Sequence, residues 1–403
     1  MDWQTPEDAV PSAFVTQANA RQIIGKPPAS GAWREGDPVG NRQFLSFGKT
    51  ALEQGAILPA VTVAYETVGT RNADSSNAIL ILHALTGDSH VAGEPGPGHP
   101  TAGWWNALVG PGKAIDTDRW FVVSPNMLGG CQGTTGPASL APDGQEWGAR
   151  FPFVTIRDQV AVQLAVTEAL GIKRWAAVIG GSMGGMQSLE WAVTYPARVG
   201  RVAVLAAPAI SNADQIALNS LQIEAIRMDP AFADGEYYDA TDGEGPHRGL
   251  ALARRMALLN YRSPTELNDR FERSWQSGMS PLGGDGRYAV ESYLDFHGNK
   301  FTRRFDANSY ITLVEAMSSH DVGRGRGGAA AALARVTSHA LVLAIDSDRL
   351  FPPSNQEHIA KYAPGNLDAD DAHQISSQFG HDGFLIEDRI VGEQLLRLLS
   401  TDD

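Results

Sequence analysis

At 43% apolar and only 19% charged residues, a chain of 403 residues buries a sizeable core, which excludes a wholly disordered chain or a small disulfide-stapled scaffold. At about 150 residues per domain, the length suits two to three domains, or one large domain with an insertion. A formal charge of -14 repels nucleic acid and anionic lipid; with a lone cysteine, Cys131, and no basic head or long apolar run at the start, a cytoplasmic protein without signal peptide, membrane span or disulfide is expected.

In chain order, residues 1–45 are polar and broken by Lys26-Pro27-Pro28 and Ser30-Gly31, the pattern of a loosely ordered extension. Short apolar runs follow at Val61–Tyr65, Ile79–Leu82, Trp120–Val123, Trp175–Ile179, Val202–Leu205 and Ala340–Ile345. Such runs suit strands covered on both faces. Thr155–Leu170 reads as a helix, with a capping box from Thr155 to Asp158 and a stop at Gly171. Strand, helix, strand implies an α/β fold with a mostly parallel sheet. Between residues 210 and 326 the alternation lapses into helical periodicity, as in Asn212–Arg227 and Gly249–Arg262. The expected organisation is therefore a discontinuous core, 46–209 and 327–403, with a helical lid inserted at 210–326.

Gly180-Gly181-Ser182-Met183-Gly184-Gly185 lies directly after one predicted strand and before a helical stretch ending at Tyr195-Pro196. This is Gly-x-Ser-x-Gly in the strand-turn-helix setting of a nucleophile elbow, where small neighbours let strand and helix close on a strained serine. A serine hydroxyl needs a base, and the base needs an orienting carboxylate. On such a fold they follow in the order Ser, acid, His. Of the late histidines, His381 sits on a Gly-flanked loop, Phe379-Gly380-His381-Asp382-Gly383-Phe384, whereas His339 begins a strand and His358 lies in a helix. Past the last long strand, Asp346 and Asp348 compete for the acid; Asp348 projects further onto the loop and is favoured.

Acyl chemistry also needs oxyanion donors. The elbow offers the Met183 amide, and the loop His83-Ala84-Leu85-Thr86-Gly87-Asp88 offers that of Leu85; His83 reads as a structural loop residue. In the lid, Leu250, Arg254, Ala257, Leu258 and Tyr261 share one helical face, so Arg254 interrupts an apolar stripe. A guanidinium there implies an anion, either a structural partner or a substrate carboxylate. Arg248, Arg255 and Arg262 repeat on another face and read as solvated. Gly323-Arg324-Gly325-Arg326-Gly327-Gly328 fits Gly-x-Gly-x-x-Gly but follows no strand, so the dinucleotide reading fails in favour of a flexible return from the lid. Cys131 reads as a packing residue, and no metal-binding motif is present.

Together these blocks resemble the homoserine O-acetyltransferase family of the α/β-hydrolase fold, and are most like its actinobacterial members. The resemblance runs from about Phe47 to the C-terminus through His83–His90, Gly103-Trp104-Trp105, Asn126–Gly133, Gly180–Gly185, Ser318–Gly325 and Gly380–Phe384. It implies Ser182 as nucleophile, His381 as base and Asp348 as acid. It further implies that Arg254 and Tyr261 hold the homoserine carboxylate and line its pocket, that Asp382 receives the ammonium, and that the lid mediates a homodimer. The implied reaction moves acetyl from acetyl-CoA, a substrate rather than a bound cofactor, to the hydroxyl of L-homoserine through an acyl-serine. The implied place is methionine biosynthesis. Succinyl-CoA or L-serine as substrates, a serine esterase or thioesterase, and a catalytically silent binding protein are the alternatives.

Overall fold

A computed structural model describes residues 23, 25–276, 278–283 and 285–401. Its centre is an eight-stranded sheet of β1 (Gln43–Phe47), β2 (Val61–Val68), β3 (Ala78–Leu82), β4 (Phe121–Pro125), β5 (Ala177–Gly181), β6 (Arg201–Leu205), β7 (His339–Ile345) and β8 (His373–Ile375). The spatial order is β1-β2-β4-β3-β5-β6-β7-β8. β2 pairs antiparallel with both β1 and β4, and every other pairing is parallel.

The apolar runs are continuous because both faces are buried. Leu80, Leu82, Val178, Val204 and Val342 point into a core shared with Val160 of α1 (Ile156–Ala169) and with Met186 and Leu189 of α2 (Met183–Thr194). Ile79, Ile81, Ile179, Leu341 and Leu343 point the other way, against Val391, Leu395 and Leu398 of the last helix. Each such side chain contributes roughly 1.5–3 kcal/mol by leaving water. Thr155 caps α1 through the expected box with Asp158.

Between β6 and β7 the chain runs through α3 (Ala213–Arg227), α4 (His247–Tyr261), α5 (Pro264–Phe271), α6 (Ala289–Phe301), α7 (Ala307–Ser318) and α8 (Ala329–Leu333). After β7 come α9 (Pro353–Tyr362), a turn at Gly380–Asp382, α10 (Gly383–Ile386) and α11 (Asp388–Leu399). The chain therefore ends in two helices, interrupted at Glu387, whose ψ of 54° leaves the helical region.

The N-terminal reading needs correction. Residues 1–22 lie outside the described residues, but much of the rest of the expected loose extension is held down. Ser30 Oγ donates to Asp306 Oδ1 at 2.7 Å, the Trp33 amide donates to the Cys131 carbonyl at 2.9 Å, and Arg42 is buried, donating to Gln132 and to the carbonyls of Val39 and Gly98. β1 closes the sheet edge. Polar anchoring and edge pairing leave no apolar period in a sequence, which is why this segment reads as loose.

Candidate active site

β5 delivers Ser182 to a turn of φ 58° and ψ -126°, and α2 starts at the next residue. A non-glycine residue held there costs on the order of 1–3 kcal/mol, which surrounding packing must offset. The glycines allow that packing. A Cβ on Gly180 would stand 2.2 Å from the Gly184 carbonyl, one on Gly184 2.0 Å from the Leu82 carbonyl, and one on Gly185 2.6 Å from the Ala207 side chain. The end of β3, the elbow and the start of α2 therefore meet with no room for a methyl group.

At this elbow Ser182 Oγ lies 2.8 Å from His381 Nε2, and His381 Nδ1 lies 2.7 Å from Asp348 Oδ2. All three are buried. Burial by itself would lower the imidazole pKa, but the Asp348 carboxylate and its hydrogen bond outweigh burial and hold His381 above the ordinary 6.5. Asp346 serves differently: its Oδ1 accepts the Ser377 amide at 3.0 Å and braces the loop before His381. The order serine hydroxyl, imidazole, carboxylate is the arrangement that lets a hydroxyl shed its proton as it attacks.

Met183 opens α2, so its amide has no acceptor within the helix. Among the described residues the Leu85 amide has no backbone acceptor either. The contact of Gly184 with Leu82 sets the loop carrying Leu85 beside the elbow. Arg304 fixes that loop, donating to the Thr86 carbonyl at 2.8 Å and to Asp88 Oδ2 at 2.9 Å. His83 is structural: its Nδ1–H donates to the Ala84 carbonyl and its Nε2 accepts the Met127 amide. Burial lowers its pKa, so it stays neutral.

Helix α4 lies against His381. The Tyr261 ring lies 5.6 Å from the His381 ring, and the Arg254 guanidinium lies 5.5 Å from the Tyr261 ring and 5.1 Å from that of Phe301. The hydrogen-bond contact of Arg254 is Thr86 Oγ1 at 3.4 Å, and among the described residues no carboxylate pairs with it. Asp382, beside His381 in sequence, meets Arg262 Nε at 3.2 Å. Burial raises the Asp382 pKa, with Arg262, His381 and Arg254 opposing. Arg262 is therefore an ion-pair partner, not the solvated residue its seven-residue spacing suggests.

Two further sequence features resolve without chemistry. Arg324 pairs with Glu53 at 2.8 Å and Arg326 with the buried Glu190 at 2.5 Å, so the glycine-rich return is pinned to the core rather than flexible. Burial pushes the Cys131 thiol up to about 12, which leaves it no thiolate near neutral pH.

A cluster that sequence reasoning missed is Glu66 with His90 and His99, all buried, whose potential ligand atoms lie within 4.8 Å of one another. His90 Nδ1 is 3.1 Å from one carboxylate oxygen and His99 Nε2 3.3 Å from the other. The two rings stack at 3.9 Å and 8° from parallel. Lone pairs lie in the ring planes, so they run side by side rather than converging on one ion. The three meet from separate segments with no metal-type spacing, a juxtaposition only the fold reveals.

With this geometry in view, comparisons with known proteins gain meaning. The pattern of the alpha/beta hydrolase fold family matches residues 77–388. A homoserine O-acetyltransferase of Clavibacter michiganensis subsp. michiganensis is 70% identical over 96% of this chain and 100% of its own length. The crystal structure of homoserine O-acetyltransferase from Bacillus anthracis superposes with a TM-score of 0.81 at 28% identity, covering 90% of this chain and 98% of that one. An acetylester hydrolase from Corynebacterium glutamicum superposes at 0.77 and 28% identity, over 90% and 97%. The chain belongs to the homoserine O-acetyltransferase family, on the α/β-hydrolase fold.

Proposed function

We propose that the protein transfers acetyl from acetyl-CoA to the hydroxyl of L-homoserine in two half-reactions. Ser182 gives its proton to His381 and attacks the thioester carbonyl. The Leu85 and Met183 amides take the oxyanion, and His381 protonates the departing CoA sulfur. Homoserine then enters; as His381 removes its hydroxyl proton the oxygen attacks the acyl carbonyl, and the intermediate collapses to the new ester as the Ser182 Oγ–acyl bond breaks and His381 returns the proton to Ser182 Oγ. Arg254 takes the acceptor's carboxylate, Tyr261 lines its pocket, and Asp382 takes its ammonium while sharing Arg262.

The observation that carries this reading is Arg254: a guanidinium on an apolar helical face, within one ring of the catalytic imidazole and unpaired with any described carboxylate. An uncompensated cation there is costly unless a ligand supplies the anion. The test is a panel of acetyl-CoA and succinyl-CoA against homoserine, serine and water, followed by thiol release. Release that requires homoserine and acetyl-CoA supports the proposal. Release indifferent to homoserine supports the second reading, an esterase, which the likeness to the Corynebacterium acetylester hydrolase favours.

Small molecules are the substrates in this reading, with no resident cofactor, and the compartment is the cytoplasm. No helix among the described residues is long and apolar enough to cross a membrane. The lid pairs two copies; Leu221 on α3, Met228 directly after it, and Leu252 and Leu259 on α4 support this, as large apolar side chains left exposed. Sedimentation at micromolar concentration checks it, a monomer refuting the dimer.

A further inference from the structure

Arg254 also forms one wall of a cavity of about 280 Å³, alongside Thr86 and Asp88 from the oxyanion loop. Arg42, Arg304 and Lys300 complete its cationic lining, with the imidazoles of His90, His99 and His297 beside them. His297 and Lys300 are three residues apart on α6, hence on one helical face. The only carboxylate on the wall, Asp88, is already engaged by Arg304 at 2.9 Å. The two terminal nitrogens of Arg42 are spent on Gln132 and two carbonyls. The half-buried Lys300 ammonium has neither a hydrogen-bond acceptor nor an ion-pair partner among the described residues.

Positive charge is therefore in excess here, in a chain whose overall formal charge is -14. The surroundings register it: burial, then Arg254 and Lys300, push His297 down to about 4, and burial with Arg304 lowers Lys300. Stripping cations of water without counter-ions is unfavourable, so a ligand must bring the anion. An acceptor carboxylate accounts for Arg254. It leaves Lys300 unmatched.

We infer that this cavity seats a phosphoryl group of the acyl donor, with Lys300 as the point charge that meets it and Arg42 and Arg304 as the surrounding positive field. The inference rests on the acyl-transfer reading and deepens it: the enzyme reads its donor by the phosphates of the carrier as well as by the thioester. Arginines already occupied by carbonyls supply field, whereas a free ammonium supplies the contact.

The test compares two donors in the first half-reaction, acetyl-CoA and S-acetylpantetheine, which carries the same thioester without phosphate. Acetylation of the full-length protein is followed by rapid quench and intact mass. Lys300→Ala is expected to slow acetylation by acetyl-CoA roughly tenfold, Lys300→Glu more, and Lys300→Arg to restore most of it. With S-acetylpantetheine all should stay within about twofold of the parent, and the KM for homoserine should not move. Equal losses with both donors, no loss with either, or a change confined to the homoserine KM overturns the inference. A parent protein that accepts acetyl from acetyl-CoA but fails to pass it to homoserine refutes the proposed acceptor while the donor comparison still stands; one that never accepts acetyl from acetyl-CoA refutes both.

Discussion

Asp348 divides its carboxylate between two tasks: Oδ2 meets His381 Nδ1 at 2.7 Å, while Oδ1 accepts the Leu350 and Phe351 amides at 2.8 and 2.9 Å. The acid is thus locked by its own loop before it orients the base. Asp348→Asn keeps the shape but presents an amide where His381 needs an acceptor, so kcat should fall by about three to four orders of magnitude.

The pH dependence follows from the same pair. Since Asp348 holds the His381 pKa above 6.5, activity should rise as pH passes that raised value and the base becomes neutral. Without the carboxylate, burial dominates, and the midpoint in Asp348→Asn should move to lower pH; an unmoved midpoint contradicts the assignment. The sign for stability is the reverse. A raised folded-state pKa means that the charged pair stabilises the fold fully below the unfolded histidine value, and that this contribution is lost as pH rises through the folded value. Denaturant unfolding of the parent and of His381→Gln across that range measures it.

Arg254→Ala should separate the half-reactions. Acetylation of Ser182 persists, because no triad atom is touched, while transfer to homoserine falls by about two orders of magnitude for a lost charge-assisted contact. Single-turnover acetylation and discharge, measured separately, check it. Equal loss in both steps would make Arg254 a structural residue.

Gly184→Ala should destabilise by several kcal/mol, about 2–5, because the new methyl would meet the Leu82 carbonyl at 2.0 Å with backbone on both sides. Gly48→Ala, with nothing within 4 Å of its Cβ, is the matched control and should leave the melting temperature unchanged. Thermal unfolding of both compares them.

Arg326→Ala should cost about 1–3 kcal/mol, because the buried Glu190 carboxylate loses its nearest cation at 2.5 Å while retaining Arg157 at 3.6 Å and the Thr194 hydroxyl. Any rise in the melting temperature of the parent on adding nucleotide should persist unchanged in Arg324→Ala, in keeping with a glycine-rich loop whose arginines are already paired. Loss of that rise in Arg324→Ala would restore the reading that this loop binds a dinucleotide.

Most of the sheet and the meeting of Ser182, His381 and Asp348 were legible because their signals are local. Continuous apolar runs mark strands buried on both faces, a glycine bracket marks the elbow at Ser182, and the Gly-flanked loop marks His381. Edge strands β1 and β8 were not legible, since Gln43–Phe47 alternates half-exposed residues and His373–Ile375 is too short for a period. Helices α5 to α7 escaped for a related reason: the polar partners that fix them, such as Asp306 accepting from Tyr237 and Tyr238, are far away in sequence. Arg262 was misread because spacing reports a helical face but not what another segment lays against it. Lys300 carried no signal at all; its meaning comes from having no partner among the described residues in three dimensions.

The most direct test is the intact mass of the protein after brief exposure to acetyl-CoA, before and after homoserine is added. A gain of one acetyl group, mapped to Ser182, absent in Ser182→Ala and discharged by homoserine faster than by water, is the predicted result. An adduct on another side chain, no adduct under conditions where thiol is released, or discharge that ignores homoserine would contradict acyl transfer through this serine.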